Sequence, residues 1–367
     1  MNQSIVYVDS KTLRNFMVDV FVGVGVPRED ADICADVLIT SDLWGIESHG
    51  IQRLKMYYDR IKEGKQLPVT KISIVRESPT TALIDGGNGM GQVVAYRAMQ
   101  MAIEKAKKYG TGAVAVRNSN HFGIAGYYVM MAAREGMVGM AVTNARPAVA
   151  PTFGVEPLLG TNPLTFGCPT DEPFPFIIDC ATSITQRGKI EVLDRENKPT
   201  PEGLVIDSNG NPLIDTKAIL NGFIAGTAAL LPLGGAGETL GGHKGYGYST
   251  LVEILSAAFG GGPYLKGLSA GDKDKKTPYR LGHFFLAVNV SSFTSLDEFK
   301  KTAGNILREL RSSKKAPGCM RIYTAGEKEY ENQKERIKTG IPIIPSIQKD
   351  ILILKRELGL NQYQFNF

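Results

Sequence analysis

The stretch that decides the architecture is residues 81–142, "TALIDGGNGMGQVVAYRAMQMAIEKAKKYGTGAVAVRNSNHFGIAGYYVMMAAREGMVGMAV". Thr81–Ile84 has the composition of a strand, and Gly86-Gly87-Asn88-Gly89 reads as a turn. Apolar residues then recur at helical spacing through Gln92–Lys108, and Gly110 stops that helix. Gly112–Val116 reads as a strand, Ile124–Arg134 as a helix and Met137–Val142 as another strand. Helix and strand periods alternating over so short a length call for a layered domain of the α/β or α+β class.

Working outward, Ile72–Val75, Phe176–Asp179 and Leu281–Val290 read as further strands and Tyr246–Phe259 as a helix. Asp207-Ser208-Asn209-Gly210 has the polar composition of a hairpin turn. Both chain ends are helical in pattern. In Lys11–Gly23 the residues Leu13, Phe16, Met17 and Val20 share one face. A second helix begins at Pro27-Arg28-Glu29-Asp30, with proline and acids in its first turn. After the interruption Trp44–Gly50, Ile51–Lys62 resumes a helix, and Leu296–Arg311 and Ser346–Leu358 follow near the C-terminus. The expected division is a discontinuous helical domain, 1–70 with 291–367, bracketing an α+β domain, 71–290.

The chain has 367 residues, of which 43% are hydrophobic and 22% charged, values ordinary for a folded globular protein. Its net charge of +5 is dispersed, and even Lys273-Asp274-Lys275-Lys276 is short and broken by an acid. Nucleic-acid binding is not expected. Apolar runs end before they could span a bilayer, and the N-terminus lacks a signal-peptide pattern, so a cytoplasmic location is expected. Cys34, Cys168, Cys180 and Cys319 form no C-x-x-C pair, which argues against a metal or disulfide framework.

The chemistry concentrates on four histidines set among small residues: His49, His121, His243 and His283. Packing or turn histidines are the alternative reading for each. In Ser48-His49-Gly50-Ile51-Gln52-Arg53, Ser48 is placed to cap a following helix, and Arg53 falls one turn beyond His49. A guanidinium beside an imidazole suits a 2-oxo acid: the fork holds the carboxylate while the histidine handles the proton of the neighbouring oxygen. His121 ends a strand and opens a polar loop. Gly241–Gly247, containing His243 and Lys244, opens a helix where phosphate is welcome. Asp179, at the end of an apolar strand, is placed to accept from ribose hydroxyls. No G-x-G-x-x-G follows a strand, so a Rossmann phosphate loop is not expected. H-E-x-x-H and G-x-S-x-G are also missing, although separated histidines converging on a metal would make a hydrolase. A catalytically idle binding protein is a third reading.

Taken in order, Ser41–Gly50, Asn118–Gly123, Leu159–Leu164, Ile178–Ser183, Arg187–Lys189 and Gly242–Gly247 resemble the type-2 malate/L-lactate dehydrogenase family. These stretches span most of the chain. The resemblance implies a non-Rossmann fold in which a mostly helical domain, made from both chain ends, joins an α+β domain around a mixed sheet. It implies a homodimeric NAD- or NADP-dependent enzyme acting on malate, lactate, sulfolactate, ureidoglycolate, a diketogulonate or, with NADPH, cyclic imino acids. By motif, His121 and His49 are the acid/base residues, with Ser48 and Arg53 supporting an anionic substrate. Ile178, Asp179, Cys180, Ala181, Thr182 and Ser183, then His243 and Lys244, and a late turn at Gly326 and Glu327 hold the cofactor. No metal is implied. The glycine-rich insert Pro232–Glu238 resembles the malate-type members, and NAD is the expected cofactor. Two positions depart from the pattern: Ala325-Gly326-Glu327 replaces the usual Pro-Gly-Glu, and Cys180 stands where methionine is common.

Overall fold

The computed structural model describes residues 5–269 and 277–367, so the stretch Lys273–Lys276 lies outside the described residues. The centre is a seven-stranded mixed sheet ordered β2-β3-β4-β10-β5-β6-β7. Its members are β2 (Ser73–Glu77), β3 (Thr81–Asp85), β4 (Thr111–Ser119), β5 (Met137–Thr143), β6 (Leu164–Cys168), β7 (Phe176–Cys180) and β10 (Leu281–Asn289). Only β3 and β4 are parallel; every other neighbouring pair is antiparallel. The β3–β4 crossover runs through the helix α4 (Gly91–Tyr109), as a parallel pair requires.

One face of the sheet is covered by α4 and α5 (Gly126–Arg134). Their small residues Ala95, Ala98, Ala102, Ala106 and Ala132 let the helices sit close on Ile84, Val114, Val116, Ala141 and Phe285. Alternation along β10 sends Phe285 into that core and Phe284 to the opposite face, where it stacks on Phe259 at 5.5 Å. Phe259 follows α8 (Gly242–Ala257), whose contacts with β4, β5 and β10 cover the second face. A satellite unit holds α6 (Arg187–Arg195), α7 (Thr216–Ala225) and the pair β8 (Val205–Asp207) and β9 (Ala228–Leu230), closed around Ile190, Val205, Ile219 and Leu230.

The chain ends share one core. α1 (Ser10–Gly23), α2 (Arg28–Leu43) and α3 (Leu54–Lys62) contribute Leu13, Phe16, Leu38 and Tyr57, and α11 (Pro345–Leu358) contributes Ile347, Ile351 and Leu354. β1 (Val6–Val8) pairs antiparallel with β11 (Ile341–Ile343), joining the two ends directly. α9 (Leu296–Ser312) instead docks beside the sheet, its Arg308 paired with Asp171 at 2.9 Å and Glu172 at 2.6 Å. α10 (Glu327–Thr339) returns the chain to α2, with Asn332 donating to the Trp44 carbonyl at 3.0 Å.

The helix expected over Ile51–Lys62 is split. Ile51–Arg53 is a 3-10 turn, preceded by another at Glu47–His49, and α-helix begins only at Leu54. Ser48 is therefore not the helix cap. The buried Asp42 carboxylate takes that place by accepting the Ile51 N–H at 2.8 Å. The break falls at Gly50, whose Cα rests on the same carboxylate with no room for a Cβ. The hairpin turn expected at Asp207–Gly210 is present: Ile206 bridges antiparallel to Pro212 across it, and β8 also pairs with β9 on its other side.

Candidate functional site

His49 and His121 come together from the two parts of the molecule. Their rings stack with centroids 5.4 Å apart and planes inclined by 21°. His49 closes the first 3-10 turn, and Ser48 Oγ lies 2.8 Å from its Nδ1. His121 follows β4, where the loop carbonyls of Asn120 and His121 press on the backbone of Gly91; a side chain there would push the loop away. The Asn120 amide holds the loop from the other side, donating to the carbonyls of Asn88 at 3.0 Å and Gly89 at 2.9 Å.

A third residue, not singled out from sequence, completes the pair. Tyr57 Oη lies 2.6 Å from His121 Nδ1, and the Tyr57 side chain is fully buried. Its phenol is pushed up by that burial and stays protonated across the working pH range. With Nδ1 occupied on both imidazoles, each Nε2 has no protein partner among the described residues and is the nitrogen left for a substrate. Arg53 braces the arrangement from below: its Nε–H donates to the Ser48 carbonyl at 2.7 Å.

The electrostatics around the pair are cationic. Burial and then the charge of Arg53 push His49 down to about 4. His121 is lowered well below its ordinary value by burial first, with His49, Arg53 and Arg60 adding to the effect. Both rings are neutral at pH 7. His283 is different in kind. It is fully buried, stacks on Phe122 at 4.7 Å and places Nδ1 2.7 Å from Thr143 Oγ1, which is the packing role considered as the alternative.

The remaining segments singled out from sequence meet along β7, the edge strand of the sheet. Asp179 turns inward: Oδ2 accepts the Gly126 N–H at 2.6 Å and Oδ1 the Thr165 hydroxyl at 3.1 Å. Its carboxylate thus secures the start of α5, just beyond the His121 loop, and burial raises its pKa against those two bonds. Ile178, on the other side of the strand, is 40% exposed and leaves an open surface. Cys180 and Ala181 are partly buried and continue that surface toward buried Thr182 and Ser183. Thr182 donates its hydroxyl to the Asn162 carbonyl at 2.9 Å and accepts the Leu233 N–H at 2.8 Å on its own carbonyl. Leu233 in turn backs onto Gly245, which brings the first turn of α8 to the end of β7. That first turn has no side-chain cap, and His243 and Lys244 project from it into solvent.

At the opposite end of β7, Gly326 packs against the Pro175 carbonyl. The Glu327 side chain is buried; it pairs with Arg321 and accepts the Thr324 N–H at 2.9 Å, so it holds the late turn in shape. Gly188, at the start of α6, places its backbone beside Ser48. Among the described residues the α8 turn reaches the histidine pair through β7 and the Asp179–Gly126 bond. Among the described residues, no three His, Cys, Asp or Glu side chains group to hold a metal ion. No described helix is long and apolar enough to cross a membrane.

Tyr57 had a signal in the sequence: it lies four residues beyond Arg53, on the same helical face. What the sequence did not supply was the sheet that carries His121 to that face.

A family model described as malate/L-lactate dehydrogenase matches residues 8–352. A malate dehydrogenase of Pyrococcus abyssi is 46% identical over 360 residues, covering 98% of this chain and 97% of that one. An L-sulfolactate dehydrogenase of Methanocaldococcus jannaschii is 41% identical, covering 95% of this chain and 96% of its own length. Among solved structures, a malate dehydrogenase of Entamoeba histolytica superposes with a TM-score of 0.95 at 45% identity, over 99% of this chain and 100% of that one.

Proposed function

The chain belongs to the malate/L-lactate dehydrogenase family, oxidoreductases of a 2-hydroxy acid, and from that premise we propose that it interconverts malate and oxaloacetate with NAD. The observation that carries this reading is the stacked His49–His121 pair with Arg53 beside it. The nicotinamide would take or give a hydride at C2 of the substrate. The work left to the protein is to hold the C1 carboxylate and to move one proton at the C2 oxygen.

Arg53 is the carboxylate fork, and Ser48 orients His49 through the bond at Nδ1. In the oxidising direction, neutral His121 accepts the hydroxyl proton at Nε2 while Tyr57 holds Nδ1. In the reducing direction, the protonated ring returns it. The depressed pKa suits the base role directly. For reduction, an incoming carboxylate offsets the charge of Arg53 and favours the imidazolium. His49, stacked on His121, orients the substrate oxygen.

The cofactor fit rests on the backbone edge of β7 and on the uncapped first turn of α8. An anionic diphosphate matches the helix N-terminus and the exposed Lys244, with His243 beside it. The backbone of Ile178, Asp179, Cys180, Ala181, Thr182 and Ser183 would line the nucleoside side, the Asp179 carboxylate being turned inward to Gly126 and Thr165 rather than to a ribose, with Gly326 and Glu327 shaping the far end. These segments contain no arginine to clamp a 2′-phosphate, which supports NAD over NADP. The division into 1–70 with 291–367 and 71–290 is supported by the core that the chain ends share; His49 and Arg53 then belong to one unit and His121, Lys244 and Ile178–Ser183 to the other.

A homodimer is part of the same reading. α8 leaves Tyr248, Leu251 and Ile254 exposed, with Ile254 at 57%, and such an apolar face suits a second copy. A cytoplasmic location accords with a nicotinamide-dependent reaction.

The test is a panel of 2-oxo acids assayed with NADH and with NADPH, following loss of cofactor absorbance. Oxaloacetate with NADH is expected to give the highest kcat/KM. A clear preference for pyruvate, sulfopyruvate or an imino acid, or for NADPH, would overturn the assignment.

A further inference from the structure

Resting on the malate reading, we infer that Arg60 is the specificity residue that binds the second, distal anionic group of the substrate. Arg53, which caps the start of α3 with helical backbone angles, and Tyr57 and Arg60 on α3 fall at i, i+4 and i+7, so all three project from one face. Tyr57 reaches His121 and Arg53 braces Ser48, which fixes where that face looks. Arg60 is the next residue along it, at the far end from His49.

Three observations point to an anion there. Arg60 is partly buried, yet among the described residues no carboxylate pairs with it; its guanidinium lies over the Tyr279 ring at 4.7 Å. Arg146 lies over the same ring at 5.2 Å, so two guanidinium groups share one aromatic platform. Burial, then the nearby charges of Arg146 and Arg53, lower the Arg60 pKa. The charge is also felt at His121. A buried, unpaired cation is costly to keep. A ligand that brings its own negative charge removes the cost, which gives the site a reason to select for one.

The geometry sets the ligand class. The proximal carboxylate and the C2 oxygen engage Arg53 and the histidines, and a group extending along α3 from C2 meets Arg60. Seven residues of helix separate the two arginines by about 10 Å along the axis, a gap that two long side chains close around a four-carbon dicarboxylate. A sulfonate at the same place would satisfy the same charge, whereas the methyl group of lactate or pyruvate would leave Arg60 unpaired. The site thus discriminates through the group it leaves unsatisfied.

The experiment compares wild type, Arg60→Gln and Arg60→Lys with oxaloacetate and with pyruvate, measuring kcat/KM for each. NADH affinity by fluorescence and the melting temperature serve as checks on the fold. Arg60→Gln is expected to lower kcat/KM for oxaloacetate by about 10- to 100-fold, the loss of one charge-assisted contact. The value for pyruvate is expected to stay within about threefold, on the same scale. Arg60→Lys is expected to recover part of the oxaloacetate activity, and it carries the test alone if the glutamine variant does not fold. Equal losses on both substrates, or no loss on oxaloacetate, would overturn the inference. Wild-type preference for pyruvate would instead overturn the malate reading, and this inference with it.

Discussion

Tyr57→Phe isolates the contribution of one oxygen atom. The ring stays where Phe21 and His121 already pack on it, at centroid distances of 6.2 and 5.9 Å, so the core is not emptied. What disappears is the 2.6 Å contact at His121 Nδ1. The other polar group near Nδ1 is the Gly123 N–H at 3.4 Å, itself a donor, which cannot replace the phenol oxygen as acceptor of the Nδ1 proton. Leaving a buried polar atom short of its partner costs about 1–3 kcal/mol. If that cost appears when the imidazole must be aligned with the substrate oxygen, kcat/KM for malate falls roughly 5- to 150-fold. The global fold loses about 1 kcal/mol, the net value of one hydrogen bond. Steady-state kinetics with malate, NAD titration by fluorescence quenching and thermal melting read these effects separately. Cofactor affinity is expected to hold. A variant whose kcat/KM matches wild type, or whose loss lies wholly in NAD affinity, would refute the view that Tyr57 acts through His121.

Four further outcomes follow from the geometry. His121→Asn is expected to cut kcat by about 10²- to 10⁴-fold and to erase the acid limb of the malate-oxidation profile; survival of both there, with their loss in His49→Asn, would exchange the two roles. Oxidation needs a neutral imidazole, and burial with Arg53 lowers both histidines, His49 to about 4. Wild-type kcat/KM for malate should therefore hold as the pH falls through 6.5 and decline only below it; a limb at or above 6.5 would contradict this. Lys244→Met should weaken NAD by about 1–3 kcal/mol at low salt and by less at high salt, measured by fluorescence titration. Gly50→Ala forces a Cβ into the Asp42 carboxylate and should cost about 1–3 kcal/mol in a denaturation experiment; an unchanged midpoint would show that the turn relaxes freely.

The sequence made the sheet core and the helical ends legible because their periods are long and uninterrupted. α4 shows this best, its expected ends lying within one residue of those observed; β4 begins within one residue of its expected start but runs three residues beyond Val116. Short elements escaped. β1 and β11 have three residues each, and each gains its partner only from the other end of the chain. α10 is strongly charged and lacks a broad apolar stripe, so no periodic signal marked it. Within the site, motif and spacing pointed to His49, His121 and Arg53. They could not show that Asp42 rather than Ser48 secures the turn at Ile51, because that bond reaches back nine residues to a buried acid. Asp179 stood out as an acid at a strand end. Its inward turn toward Gly126 depends on where α5 lies, which no local pattern encodes.

The pairing of Val6 with Ile343 has a consequence for the order of assembly. Closing a loop of that length costs roughly 5 kcal/mol of chain entropy, so the pairing cannot lead the folding process. During synthesis, the sheet can gather its strands once β10 has emerged, while the N-terminal helices still lack α11 and β11. Arg53 and Tyr57 sit on those helices. The segment that carries Arg53 and Tyr57 therefore reaches its packed state only after β11 and α11 have been made and docked on it.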